Sequence, residues 1–71
     1  MNHHRGVVFQ INANFIAKVY FDDGEFSLVE PLGLDLEIGD VLLGNLWELG
    51  SCELYDETRD VRFSAFIQDH S

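Results

Sequence analysis

Apolar and polar residues alternate along most of this chain, and the period is two rather than 3.6. From Val7 to Phe21 every odd position is apolar: Val7, Phe9, Ile11, Ala13, Phe15, Ala17, Val19 and Phe21. The even positions are Val8, Gln10, Asn12, Asn14, Ile16, Lys18 and Tyr20, which suit a partly solvated face. That pattern predicts strand with the odd side chains on a core. Fifteen residues at about 3.3 Å each would span roughly 50 Å, far beyond an ordinary strand. Asn12-Ala13-Asn14 is the weakest β-forming part, so a turn belongs there, between a strand near 6–12 and another near 15–21. Asp22-Asp23-Gly24 then reads as a hairpin turn because Asp and Gly tolerate positive φ. A third strand, Glu25 to Glu30, returns antiparallel and is ended by Pro31 and Gly33.

In the loop 31–39, Leu34, Leu36 and Ile38 alternate with Asp35 and Glu37, which predicts a short extended edge packed on the core. Residues 40–49 admit two readings. Asp40 suits a helix cap and Gly50 a helix stop, while Val41, Leu43, Trp47 and Leu49 sit at strand spacing. Gly44 favours strand, since a glycine inside a helix costs up to about 1 kcal/mol relative to alanine, whereas in a strand it marks a bend. Gly50-Ser51 reads as a turn, Cys52 to Asp56 as a short strand, and Glu57 to Asp60 as a polar turn. The last strand is Val61 to Gln68, with Val61, Phe63, Ala65 and Ile67 on one face. The fold expected is all-β: a small antiparallel barrel of five to six strands, OB-like or SH3-like, because closure removes exposed edges. Residues 6–69 form its single domain, with 1–5 as a disordered N-terminus and 70–71 as a C-terminal end.

The order of these pieces resembles the oligonucleotide/oligosaccharide-binding (OB) fold, in particular the RNA-binding repeat domain named after a ribosomal protein. The matching residues are Gly6, Val8 and Ile11; Phe15, Ala17 and Val19; Gly24; Leu28-Val29-Glu30; and Leu36-Glu37-Ile38-Gly39-Asp40-Val41, within residues 6 to about 47. The resemblance implies base stacking on exposed aromatics of the second and third strands beside basic residues, which by position are Phe15, Tyr20 and Lys18. The chain departs from that pattern in charge and in a last strand that runs beyond the family's usual end.

Composition sharpens these expectations. The chain has 71 residues and 13 acids against 4 bases, for a formal charge of -9. Residues 1–21 carry +2, residues 22–57 carry -11 and residues 58–71 carry 0. Four bases neutralise few phosphates, so the charge disfavours nucleic acid. With 46% hydrophobic residues the chain is too apolar for a disordered acidic tail. A single cysteine excludes an internal disulfide and points to a reducing cytoplasm. No apolar run approaches the roughly 18 residues of a membrane span, and an acidic chain is repelled by anionic lipid, so no membrane partner is expected.

Candidate chemistry is sparse. His3 and His4 are adjacent, yet they sit in a frayed terminus without a second ligand cluster, and His70 occupies the same position at the other end, so no metal site is expected. Cys52, flanked by Glu53 and lacking nearby cations, reads as a structural thiol. Asp22, Asp23 and Glu25 lack the twelve-residue calcium-loop pattern and are explained by the hairpin. No nucleophile and base pair at a telling spacing, no phosphate loop, and too little chain for a cleft argue for a non-enzyme without cofactor.

What remains is binding. Tyr20 and Phe66 fall opposite their strands' apolar stripes, and with Trp47 they are candidate anchors. The expected function is a non-catalytic interaction module that meets a protein partner, a basic one or a second copy of itself. Its candidate residues are Lys18, Tyr20, Asp22, Asp23, Trp47, Glu53, Asp56, Arg62 and Phe66. The alternative is a single-stranded nucleic-acid-binding OB domain using Lys18, Tyr20, Phe66 and Arg62.

Overall fold

The computed structural model describes residues 3–71. Six strands form a closed antiparallel barrel: β1 (His4–Ile11), β2 (Ala17–Tyr20), β3 (Phe26–Leu32), β4 (Val41–Gly44), β5 (Gly50–Asp56) and β6 (Val61–His70). Their order around the barrel is β1-β2-β3-β6-β5-β4, two three-stranded meanders joined along β3 with β6 and β1 with β4. The architecture is the small all-β barrel the alternation predicts and is compatible with an OB-like fold. Strand runs from His4 to His70, past both ends of the expected 6–69 domain. Met1 and Asn2, which fall in the segment expected to be disordered, lie outside the described residues.

The core is filled by Val8, Ala17, Val19, Val29, Leu42, Leu54, Phe63, Ala65 and Ile67, one to three per strand. Each mouth is closed by a leucine from a connection. Leu36 of the β3–β4 connection plugs the lower mouth, where β1 and β3 end, and Leu46 of the β4–β5 turn plugs the upper mouth, where they begin.

Several expectations are corrected. In β1 the inward residues are Gly6 and Val8: Val8 is 1% exposed, whereas Val7 is 42% and Phe9 63% exposed. The β1–β2 register slips between Val8 and Gln10, so Phe9 is an extra residue and the alternation reverses, which returns Ile11 to the core. Gly6 permits the close approach upstream of the bulge, because a Cβ there would lie 2.5 Å from Val19 Cγ1 and 3.0 Å from the Tyr20 carbonyl oxygen. In residues 40–49 strand is found, but only from Val41 to Gly44, with Leu42 and Gly44 inward rather than Val41 and Leu43. Residues 45–49 turn, so Gly50 opens β5 instead of preceding it. The loop 33–40 contains no strand: Leu36 is buried and Leu34 packs on the core, while Ile38 is exposed.

Pro31 does not end β3, which continues to Leu32. Here β3 pairs with β6 (Pro31 opposite Ala65), but β2 has stopped at Ala17, opposite Val29. One side of β3 is therefore an unpaired edge at Pro31, where a missing amide hydrogen is tolerated. The Asn and Asp turns form as expected. Asn12 Oδ1 accepts from the amides of Asn14 and Ile16, and Asp23 Oδ1 accepts from the amide of Glu25 across the turn that Gly24 completes at φ 87°.

Candidate functional site

Outward-pointing positions of four adjacent strands make one continuous surface. Register places Val7 of β1 opposite Tyr20 of β2, Tyr20 opposite Phe26 of β3, and Lys18 opposite Leu28. Farther along β3, Glu30 lies opposite Phe66 of β6. The bulge adds Phe9, whose ring meets Tyr20 edge-on at 5.1 Å, and Tyr20 in turn meets Phe26 at 5.9 Å. Lys18 Nζ lies 4.3 Å from the Phe26 ring centre and 5.6 Å from that of Tyr20, a cation held on aromatic faces. Phe9 and Phe66, the latter 41% exposed, are the exposed phenylalanines of this face, beside the exposed Val7 of β1 and Leu32 of β3.

Two further clusters close the ends. At the upper mouth the Trp47 ring is stacked between His4 at 4.2 Å and His70 at 4.7 Å, with Phe21 edge-on to all three. Beneath them the fully buried Ser27 hydroxyl donates to the Leu46 carbonyl at 2.7 Å. That uses its single proton, so it accepts from Nδ1 of His70 at 2.9 Å, and Nε2 on the other side of the same ring lies 2.8 Å from the Glu25 carboxyl. A serine, a histidine and a carboxylate in sequence suggest nucleophilic catalysis, but that chemistry needs a hydroxyl open to substrate and a proton directed at the base. Here the hydroxyl is buried and its proton is directed at a carbonyl. The cluster is built as a latch that ties the β4–β5 turn to β3 and β6. These residues are 43 and 45 positions apart, and only the register that sets Ser27 opposite His70 brings them together.

At the lower mouth Arg59 spans two buried carboxylates, with Nη2 3.1 Å from Asp40 and Nε 3.3 Å from Asp56. Burial, and next the neighbouring Asp40 carboxyl, push the Asp56 carboxyl above the ordinary aspartate range. Arg59 Nη2 also donates to the Asp35 carbonyl, so this lock fixes the β3–β4 connection. A shallow groove of about 340 Å³ lies on the outside of β4, β5 and β6, lined by His3, Leu43, Gly44, Glu53, Tyr55 and Arg62.

The sequence candidates separate accordingly. Lys18, Tyr20 and Phe66 share the outer face. Arg62 lies two outward positions along β6 from Phe66, roughly 13 Å away, in an exposed ion pair with Glu53 at 3.8 Å. Trp47 is at the upper mouth, while Asp22 and Asp23 form the β2–β3 turn. Asp56 is fully buried and bound to Arg59, so it offers no charge to a partner and the acidic surface is smaller than expected. Phe15 sits in the β1–β2 turn at φ 64°, at the lower end of the barrel and away from Tyr20. His4 and His70, expected to be frayed, are both in strands and in the upper cluster. Burial pushes the Cys52 thiol up. Val7, Phe9 and Phe26 were absent from the candidates, the first two because uniform alternation assigned them to the core.

Among the described residues no group of three or more His, Cys, Asp or Glu is placed to hold a metal ion, and no helix is long and apolar enough to cross a membrane. Compared with family models, curated proteins and solved structures, the chain matches none.

Proposed function

We propose that this chain is a non-catalytic interaction module that docks on a protein surface through the outer face of β1, β2, β3 and β6. The observation that carries this reading is the exposure of Phe9 and Phe66 on one continuous face with Tyr20, Phe26 and Lys18 between them. Aromatic side chains supply much contact area at a small entropic cost, and their presence on an exposed sheet face favours an interface. The acids flank this face: Asp22 and Asp23 in the β2–β3 turn, Glu53 on β5 and Glu57 in the β5–β6 turn.

A second reading, single-stranded nucleic acid, draws on Lys18 over Tyr20 and Phe26, since bases stack on such platforms. Electrostatics oppose it. Arg5 is paired with Glu57, Arg59 with Asp40 and Asp56, and Arg62 with Glu53, so three of the four bases already face carboxylates.

The test is capture from the native lysate at physiological salt, with and without nuclease, by the wild-type chain and by Phe9→Ser/Phe66→Ser. Docking predicts retention of a defined protein that survives nuclease and is lost in the double variant. Retention that nuclease abolishes supports nucleic acid, and retention that the variant leaves intact refutes the face. A retained protein with a basic surface would assign Asp22, Asp23 and Glu53 a steering role.

A further inference from the structure

The docking face differs from the rest of the molecule in charge as well as in apolarity. On a chain of net charge -9 it carries three cations, Lys18 with Arg5 and Arg62 at its margins, where they pair with Glu57 and Glu53, and two anions, Glu30 and the exposed Asp69 opposite Leu28. Among the described residues Lys18 has no carboxylate partner and lies on aromatic rings, whereas Glu30 accepts from the Gln68 amide. A strongly basic partner would be drawn to the acidic turns instead. A nearly neutral aromatic surface is matched by another of the same kind.

We propose that the occupant of this face is a second copy of the chain, in a two-fold dimer in which Lys18 of each copy meets Glu30 of the other. The proposal rests on the reading of this face as a protein-docking surface and names its partner. Lys18 lies opposite Leu28 and Glu30 two residues beyond it, which makes them diagonal neighbours about 7–8 Å apart. A two-fold axis lying in the plane of the face, perpendicular to the line between them, exchanges the two positions. Tyr20 lies two residues beyond Lys18 on one side of the midpoint, and Phe66, opposite Glu30, lies one strand beyond on the other. The same rotation therefore brings Phe66 of one copy over Tyr20 of the other. The interface is isologous and closes on itself, so it ends at a dimer. Asp69 lies beside the axis at the edge of the contact, where each copy brings its own carboxylate.

The salt dependence follows from the total charge. At about 0.01 M salt the Debye length of roughly 30 Å exceeds the molecule's 25 × 23 × 22 Å extents, and at about 1 M it is roughly 3 Å. Two copies of charge -9 repel one another through dilute salt, and added salt removes the repulsion while the apolar contact remains. Association should tighten with salt, opposite in sign to the binding of a nucleic acid or a basic protein.

The experiment is sedimentation equilibrium of the full chain at micromolar to millimolar concentration and at salt from 0.01 to 0.5 M. The expected result is a monomer–dimer equilibrium whose Kd falls at least tenfold across that range. Phe9→Ser/Phe66→Ser should be monomeric, Asp69→Asn should dimerise more tightly, and Lys18→Glu should weaken association at least tenfold. The swap Lys18→Glu with Glu30→Lys should restore it. All these side chains lie on the outside of the barrel, and the wild-type salt series needs no variant. A monomer under every condition, association that weakens with salt, or a swap that fails to restore it overturns the proposal. A monomer whose capture of a different protein is nuclease-resistant and lost in Phe9→Ser/Phe66→Ser overturns the dimer while leaving the docking face intact.

Discussion

Replacing Ser27 by alanine should cost far more than the loss of one hydroxyl suggests. The side chain is fully buried, its hydroxyl donates to the Leu46 carbonyl at 2.7 Å, and it accepts from His70 at 2.9 Å. Alanine keeps the Cβ and leaves both partners unsatisfied. An orphaned buried polar group costs about 1–3 kcal/mol. The His70 side chain is 19% exposed and recovers part of its hydration, whereas Leu46 is wholly buried, so the sum is about 2–4 kcal/mol. A domain of 71 residues has a total stability of about 4–10 kcal/mol, so the change is a large fraction of it. At about 4–8 °C per kcal/mol the melting temperature should fall by roughly 8–32 °C. Urea unfolding followed by circular dichroism reads the free energy directly. The double variant Ser27→Ala/His70→Ala should cost about 1 kcal/mol less than the sum of the singles, because they act on one network. A loss below about 0.5 kcal/mol for Ser27→Ala, or strict additivity, would refute the latch.

Two other predictions follow from the ends and walls of the barrel. Because the folded Asp56 carboxyl holds its proton to higher pH than the unfolded one, stability rises as pH falls through the folded value toward the ordinary aspartate range. Asp56→Asn should remove that component, so the difference between wild-type and variant stability-versus-pH curves should change across that window; parallel curves would contradict the assignment. Leu42→Ala, at a fully buried inward position, should cost about 2–5 kcal/mol in urea unfolding, while Leu43→Ala, half-buried on the outer wall, should cost clearly less; equal losses would mean that the β4 phase is wrong.

Alternation identified the strands where one face is apolar and the other polar. In β6, Phe63, Ala65 and Ile67 turn inward and Phe66 outward as the pattern states, and the Asp22-Asp23-Gly24 turn closes its hairpin. It failed where both faces are apolar. Val7-Val8-Phe9 supports either phase, and a one-residue bulge leaves no trace in an unbroken odd-position count. Val41-Leu42-Leu43 is equally indifferent, and the interaction that selects its phase, Leu42 packed among residues of other strands, is long-range. The proposed docking face was visible in Lys18, Tyr20 and Phe66 but incomplete without Phe9 and Phe26. The two end clusters were invisible, because Ser27 with His70 and Asp40 with Arg59 become neighbours only through strand register and the β5–β6 turn. Acid count likewise overstated the charged surface: the pattern of charges does not reveal that Asp40 and Asp56 point into the protein.

The central claim is that the outer face of β1, β2, β3 and β6 is the surface by which this barrel meets another polypeptide. The most direct measurement is the amide spectrum of the isotopically labelled chain in its nuclease-treated native lysate, compared with that of the dilute purified chain. The account predicts shifts or broadening confined to Val7–Phe9, Lys18–Tyr20, Phe26–Glu30 and the middle of β6 around Phe66. Perturbation confined to the Asp22–Gly24 turn, Glu53 and Glu57, with that face unchanged, would contradict it, as would a spectrum that does not change at all.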